Sequence, residues 1–167
     1  MDRAEINEEM QRALAEFHEL ISGATAEDLR RRSNGTRWTN RQLLFHMVLG
    51  YIIVRTLMPL VHALGRFGHS RGFAATLNAT RGPFHLINYL GSCGGGQILS
   101  TRAMAALLDQ TINVLQRRLT SESDARLALA MHFPTAWDPY FKPIMTALDV
   151  YHFGTRHFDH HRRQLSL

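Results

Sequence analysis

The sequence predicts an all-α protein, a four-helix bundle with a long connection between its second and third helices. Three observations carry this. Apolar residues recur at steps of three and four through four separate segments, which lays a stripe for burial along each helix. Helix-capping signals stand directly ahead of two of those segments, at Thr39 and Thr146. No alternating apolar and polar run of comparable strength argues for a strand anywhere in the chain.

Taken in order, residues 3–22 place Ile6, Met10, Leu14, Phe17 and Ile21 on one helical face. Thr25 and Asp28 suit the cap of a short turn, and Asn34-Gly35 marks a loop. Thr39-Asn40-Arg41-Gln42 has the form of a capping box, in which the threonine hydroxyl and the glutamine side chain each satisfy a backbone N–H left free by the first turn. The second helix starts there and runs to about Ala63. Between Gly65 and Gly96 lie eight of the chain's 12 glycines. A structureless loop of that length is unusual inside a compact domain, so a short helix is expected at FHLINYL, residues 84–90. Gly94-Gly95-Gly96 reads as a flexible hinge rather than an anion-binding turn, because the lysine and hydroxyl of a phosphate loop are absent. The third helix spans about Ser100 to Leu119, with Met104, Leu107, Leu108, Val114 and Leu115 as its apolar set; Arg117 and Arg118 suit its C-terminal end. MHFPTAWDPYFKP, residues 131–143, holds three of the five prolines and reads as an ordered loop, a candidate wall for a pocket. Thr146 with Asp149 then caps a fourth helix from about Ala147 to Gln164.

At 167 residues and 45% apolar composition the chain suits one soluble domain over residues 1–167. The single Cys93 allows no internal disulfide, and there is no paired-cysteine zinc motif, so a reducing cytoplasm fits and any metal must be held by nitrogen and oxygen. The opening MDRAEINEEMQRALAEF lacks the basic-then-apolar order of a secretory signal. Residues 43–64 approach the length of a membrane span, but Arg55 sits in the middle, where arginine costs about 2.5 to 3.5 kcal/mol on insertion scales. A buried core helix is the expectation. The net charge of +5 comes almost wholly from arginine, in short groups without aromatic interleaving or a nucleic-acid reading motif. Neither a nucleic acid nor a membrane is expected as a partner; a small-molecule substrate is.

The stretch RHFDHHRRQL, residues 156–165, concentrates three histidines. His157 and His161 are four apart and project from one helical face, a spacing that lets two imidazoles share one ion; His160 points elsewhere. Two ligands are too few, and His46, flanked by Leu43, Leu44, Met47 and Val48, is the candidate third. The competing reading of each is a core histidine satisfied by a carbonyl or carboxylate.

The segments TRWTNRQLLFHMVLGY, with Trp38 ahead of a capped helix bearing His46, and TRHFDHHRRQL, with His157 and His161 ahead of Gln164, resemble the two signature segments of the DinB-like family. WDPYF, residues 137–141, is similar to one branch of it. The resemblance implies a four-helix bundle of DinB-like type holding a divalent metal, usually zinc or nickel, on three histidines that match His46, His157 and His161. It also implies bacterial relatives that act as thiol-dependent S-transferases or isomerases with low-molecular-weight thiols, and others classed as metal-dependent hydrolases.

Three neutral imidazoles leave a divalent ion an open position for water or a thiol. The expected function is therefore attack by an activated thiol or water on a small electrophile. Metal-bound histidines commonly donate their second nitrogen to a carboxylate or carbonyl; Gln164, three residues past His161, and Asp109, in the run AMAALLDQTINVL, are the candidate partners, each with a bland alternative as a frayed turn or a solvated position. His62, His69, His85, His132 and His152 show no mutual spacing for a second site. No general acid or base stands out near the triad, which keeps a non-catalytic metal- or small-molecule-binding bundle as the alternative, and no residue is singled out as catalytic. Bundles often bury an apolar helix face against a second copy, so a homodimer is compatible with this reading.

Overall fold

The computed structural model describes residues 2–68 and 70–167, so the expectation for His69 lies outside the described residues. Among them the chain forms eight helices and one two-stranded sheet: α1 Arg3–Gly23, α2 Ala26–Arg30, α3 Asn40–Phe67, α4 Ser70–Ala79, α5 Arg81–Ile98, α6 Thr101–Ser121, α7 Asp124–Leu127, β1 Ala130–His132, β2 Ile144–Thr146 and α8 Ala147–Arg162. The all-α bundle is borne out. Its frame is α1, α3, α6 and α8; α1 packs on α6 and α8, and α3 packs on the same two. Consecutive frame helices α1 and α3 therefore sit across the bundle, unlike a simple up-down-up-down arrangement in which sequence neighbours lie side by side.

The caps act as their sequences require. Thr39 N–H donates to Gln42 Oε1 at 2.9 Å, starting α3, and the Thr146–Asp149 box starts α8 with bonds of 2.9 and 3.0 Å. Thr25 and Asp28 cap α2 in the same way. On α1, Ile6, Met10 and Phe17 reach the core, with Ala13 rather than Leu14 fully inside between them. Tyr51, Tyr151, Phe17 and Phe158 are the largest side chains with no exposed surface to speak of, and they fill the centre where the frame helices meet. By length and composition α3 could cross a membrane, but half of its most apolar window is buried inside the bundle, as the sequence expectation of a core helix requires. Pro59 within α3 has no N–H for the carbonyl of Arg55; Arg118 Nη1 of α6 donates to that oxygen instead, at 3.2 Å.

Two expectations need correction. The glycine-rich connection is not a loop with one short helix: it forms α4 and the 18-residue α5, and Gly94–Gly96 lie inside α5 rather than in a hinge. These glycines serve packing. A Cβ on Gly95 would fall 2.2 Å from the ring of Phe45, and one on Gly96 would fall 2.7 Å from the Cα of Gln42, so α5 lies against the start of α3 at a distance only glycine allows. The second correction is β1 and β2, an antiparallel pair in register Met131 with Met145, which the sequence reading did not foresee. Strands of three residues are too short to show a period. The pair clamps the ends of the 133–143 loop, where Phe133 N–H also donates to the Pro143 carbonyl.

Candidate metal centre

His46 lies on α3, and His157 and His161 lie on α8, the helix packed along α3. One nitrogen from each of the three falls within 4.8 Å of the others. The rings of His46 and His161 are 4.5 Å apart, as are those of His157 and His161, and His46 and His157 are separated by 4.8 Å. His46 and His157 are buried. The three residues that the sequence singles out are thus brought together.

The hydrogen bonds around them fix where the protons are. Ser92 Oγ of α5 donates to the Asn88 carbonyl at 2.8 Å, which uses its only proton. At the 3.1 Å contact with His46, Ser92 is therefore the acceptor and His46 Nδ1–H the donor. In the neutral ring Nε2 then carries a lone pair. On α8, His161 Nδ1–H donates to Gln164 Oε1 at 2.7 Å, which leaves a lone pair on His161 Nε2 as well. These two Nε2 atoms face each other at 3.1 Å. Two lone pairs at that distance repel unless a cation lies between or beside them, and a proton is a poor candidate. Burial and the neighbouring histidines hold His46 down to about 3; burial likewise puts His161 at about 4 despite the opposing bond to Gln164, and His157 well below the ordinary value. His157 Nδ1 is buried without any hydrogen-bond partner. The donor set therefore fits a divalent metal ion: three neutral imidazoles, two with their proton-bearing nitrogens turned outward onto fixed acceptors.

Gln164 occupies its place because the tail is tied down. Its carbonyl accepts from Asn34 N–H at 2.7 Å, and Ser166 bonds to Asn40, which is fully buried at the start of α3. It is not a frayed turn. Asp109, the other expected partner, is elsewhere: on α6 it pairs with His18 at 2.8 Å, on a half-exposed face, because its position on that helix turns toward α1. The triad's second partner is Ser92, which sequence reasoning missed; a serine between the short helix expected at 84–90 and the hinge expected at Gly94–Gly96 gave no signal. Of the remaining histidines, His62 pairs with Glu122, His85 with Arg81, His132 with Ser70 and His152 with Glu9.

Trp38 stacks on His46 at 4.5 Å with the planes 28° apart and forms a cover over one side of the triad. On another side a chamber of about 420 Å³ opens, lined by residues of α3, α4 and α5 and by the 133–143 loop. The loop is a pocket wall, as its composition suggested. It is pinned by Trp137, whose Nε1–H donates to the Leu77 carbonyl at 2.7 Å and whose ring stacks on Phe84 at 3.8 Å. Asp138 and His160 also reach the chamber. Burial raises the Asp138 carboxyl above the usual carboxylate range, with a 2.8 Å bond from Tyr140 N–H working against it.

The sequence profile of the DinB superfamily matches residues 9–165. The chain belongs to the DinB superfamily. That places the capped α3 bearing His46 and the α8 segment bearing His157 and His161 within one matched stretch, consistent with the resemblance seen in the two segments. No curated protein and no solved structure gives a significant match to this DinB-superfamily chain.

Depressed histidines have a consequence for the metal-free protein. Between pH 6.5 and about 4 the unfolded chain takes up protons that the folded triad does not, so stability rises with pH there and is lost as pH falls. From pH 6.5 to 5 the expected loss is about 1.5 kcal/mol for each of His46 and His161. Urea midpoints of the metal-free protein at pH 7 and pH 5 should differ more in the wild type than in a His157→Ala, His161→Ala variant. Equal differences would mean that the triad is open and protonated in the folded chain.

Proposed function

We propose that this chain is a metal-dependent enzyme in which His46, His157 and His161 hold one divalent ion, zinc or nickel, for attack by a thiol or water on a small electrophile, as a thiol S-transferase or a hydrolase. A divalent ion held by these three imidazoles would supply an open position and would lower the pKa of a water or thiol bound there toward neutral. The observation that carries the reading is the pair of Nε2 lone pairs converging at 3.1 Å, each ring held in that tautomer by its own acceptor.

The chain's residues divide the work. Ser92 and Gln164 hold the protons on Nδ1 of His46 and His161. Trp38 keeps water from one side of the rings. Asp138, with its raised carboxyl, is the proton acceptor or donor that the sequence alone did not offer, and its presence on the chamber wall favours catalysis over a bundle that only binds. The enzymatic reading is tested by two assays on the metal-loaded protein: conjugation of a low-molecular-weight thiol to an electrophilic probe, and hydrolysis of an activated ester or amide. Activity in either that is lost with the metal supports it, and silence in both over a broad panel sinks it.

Outer partners of metal-bound histidines typically affect affinity by 10- to 100-fold. Ser92→Ala and Gln164→Ala should each weaken zinc binding by roughly that factor without unfolding the chain. Competition against a chromogenic chelator measures this. An unchanged affinity in both variants would show that the tautomers are fixed by other means.

A further inference from the structure

The walls of the chamber specify the ligand more closely than the triad does. Along α3 the lining residues are His46, Gly50, Ile53, Leu57, Leu60 and Val61. Their spacing is that of a single helical face, so the chamber runs along the helix from the histidines. At about 1.5 Å per residue, His46 and Leu60 are roughly 20 Å apart. A volume of about 420 Å³ spread over that length is a narrow channel. Measured against roughly 30 Å³ for one water, it accommodates about 14 water-sized units.

Charge is confined to one end. Although the chain carries 19 lysines and arginines, none is among the described lining residues. The single carboxylate on the wall, Asp138, interacts with His160, the sequence neighbour of the triad residue His161. Away from the histidines the walls are apolar: Leu57, Leu60, Phe73, Leu77, Phe84 and Trp137. A charge carried there by a ligand would be stripped of water with nothing to pair it, which costs several kcal/mol.

We propose that the site takes an elongated molecule with one polar, metal-binding end at the triad and an uncharged aliphatic or aromatic body of about ten to fifteen non-hydrogen atoms lying along α3 beneath α4, α5 and the 133–143 loop. This rests on the reading of the three histidines as metal ligands. It disfavours a second anionic group on the body, and therefore a bulky polyanionic thiol lodged in the channel.

Three hydroxamic acids test it on the zinc-loaded full chain: acetohydroxamic acid, octanohydroxamic acid, and suberic monohydroxamic acid, which carries a carboxylate where the second carries a methyl. Both tryptophans, Trp38 and Trp137, line the chamber, so their emission reports binding directly. Octanohydroxamic acid should bind at least a hundredfold more tightly than the acetyl compound and at least tenfold more tightly than the carboxylate. Leu57→Arg should keep its zinc and its affinity for acetohydroxamic acid, lose the gain from the longer chain and reverse the preference between the two long probes. Equal affinity for the short and long probes, or for the methyl and carboxylate ends, overturns the inference while leaving a zinc-loaded triad intact. If the chain retains no zinc, the metal reading fails by itself. Acetamide and octanamide then judge the channel: saturable binding of octanamide alone upholds it, and no binding of either overturns it.

Discussion

Metal content should fall from about one equivalent per chain in the wild type to almost none in the His157→Ala, His161→Ala double variant, both purified untagged and analysed by mass spectrometry. Removing the two α8 imidazoles leaves His46 as a single ligand, and one neutral imidazole cannot hold a divalent ion against dilution. The variant should stay folded. It deletes two rings whose polar atoms cluster unfavourably without a cation, and the packing of Phe158 and Tyr151 on the inner side of α8 is untouched. A wild type that is empty as purified, and stays empty after dialysis with zinc or nickel, removes the metal reading and with it the enzyme.

The next largest effect is expected from a single methyl group. Gly50 lies one turn beyond His46 on α3, and a Cβ there would sit 2.4 Å from His157 Nδ1 and 2.9 Å from its Cε1. Gly50→Ala therefore forces the His157 ring to move, and Phe153 on its far side, 5.6 Å between ring centres, limits where it can go. Zinc affinity should drop by a hundredfold or more. Stability changes less, because alanine gains about 1 kcal/mol over glycine in a helix while overpacking costs about 1 to 3 kcal/mol. The melting temperature should shift down by no more than a few degrees. Gly94→Ala in α5, where a Cβ meets nothing within 4 Å, is the control: it should keep its zinc and gain up to about 1 kcal/mol. If Gly50→Ala binds zinc like the wild type, His157 has a second workable position and the site is less rigid than its packing suggests.

Much of this was legible in the chain, for reasons that differ by element. The starts of α3 and α8 could be read because a threonine with a glutamine or aspartate three residues on has few uses besides capping a helix. The triad could be read because the four-residue spacing of His157 and His161 is a geometric fact of any helix, and because the segments around all three histidines resemble a known family. Elsewhere local preference misled. Glycine weakens an isolated helix, so Gly91, Gly94, Gly95 and Gly96 argued for a flexible connection, yet Phe45 and Gln42 needed a partner helix with no side chains at the crossing. Asp109 was placed near the site because it sits in an apolar run, but which face of α6 it occupies depends on how that helix is rotated against α1. Ser92 could be assigned a role only once α5 was known to be a helix lying over His46. Asp138 lies in the WDPYF segment, whose sequence gives no sign that folding would half-bury it on the chamber wall.

The position of Ser92 has one more consequence. The helix that walls the channel is also the helix whose hydroxyl sets the tautomer of His46. A ligand that presses on Phe84 and Asn88 would lean on the same rigid segment that carries Ser92, two turns and one turn further along respectively. A molecule that fills the channel therefore touches, through Phe84 and Asn88, the same helix that fixes which nitrogen of His46 carries the proton. A substitution in α5 that reshapes the channel wall acts on the segment that also holds the His46 ring in place.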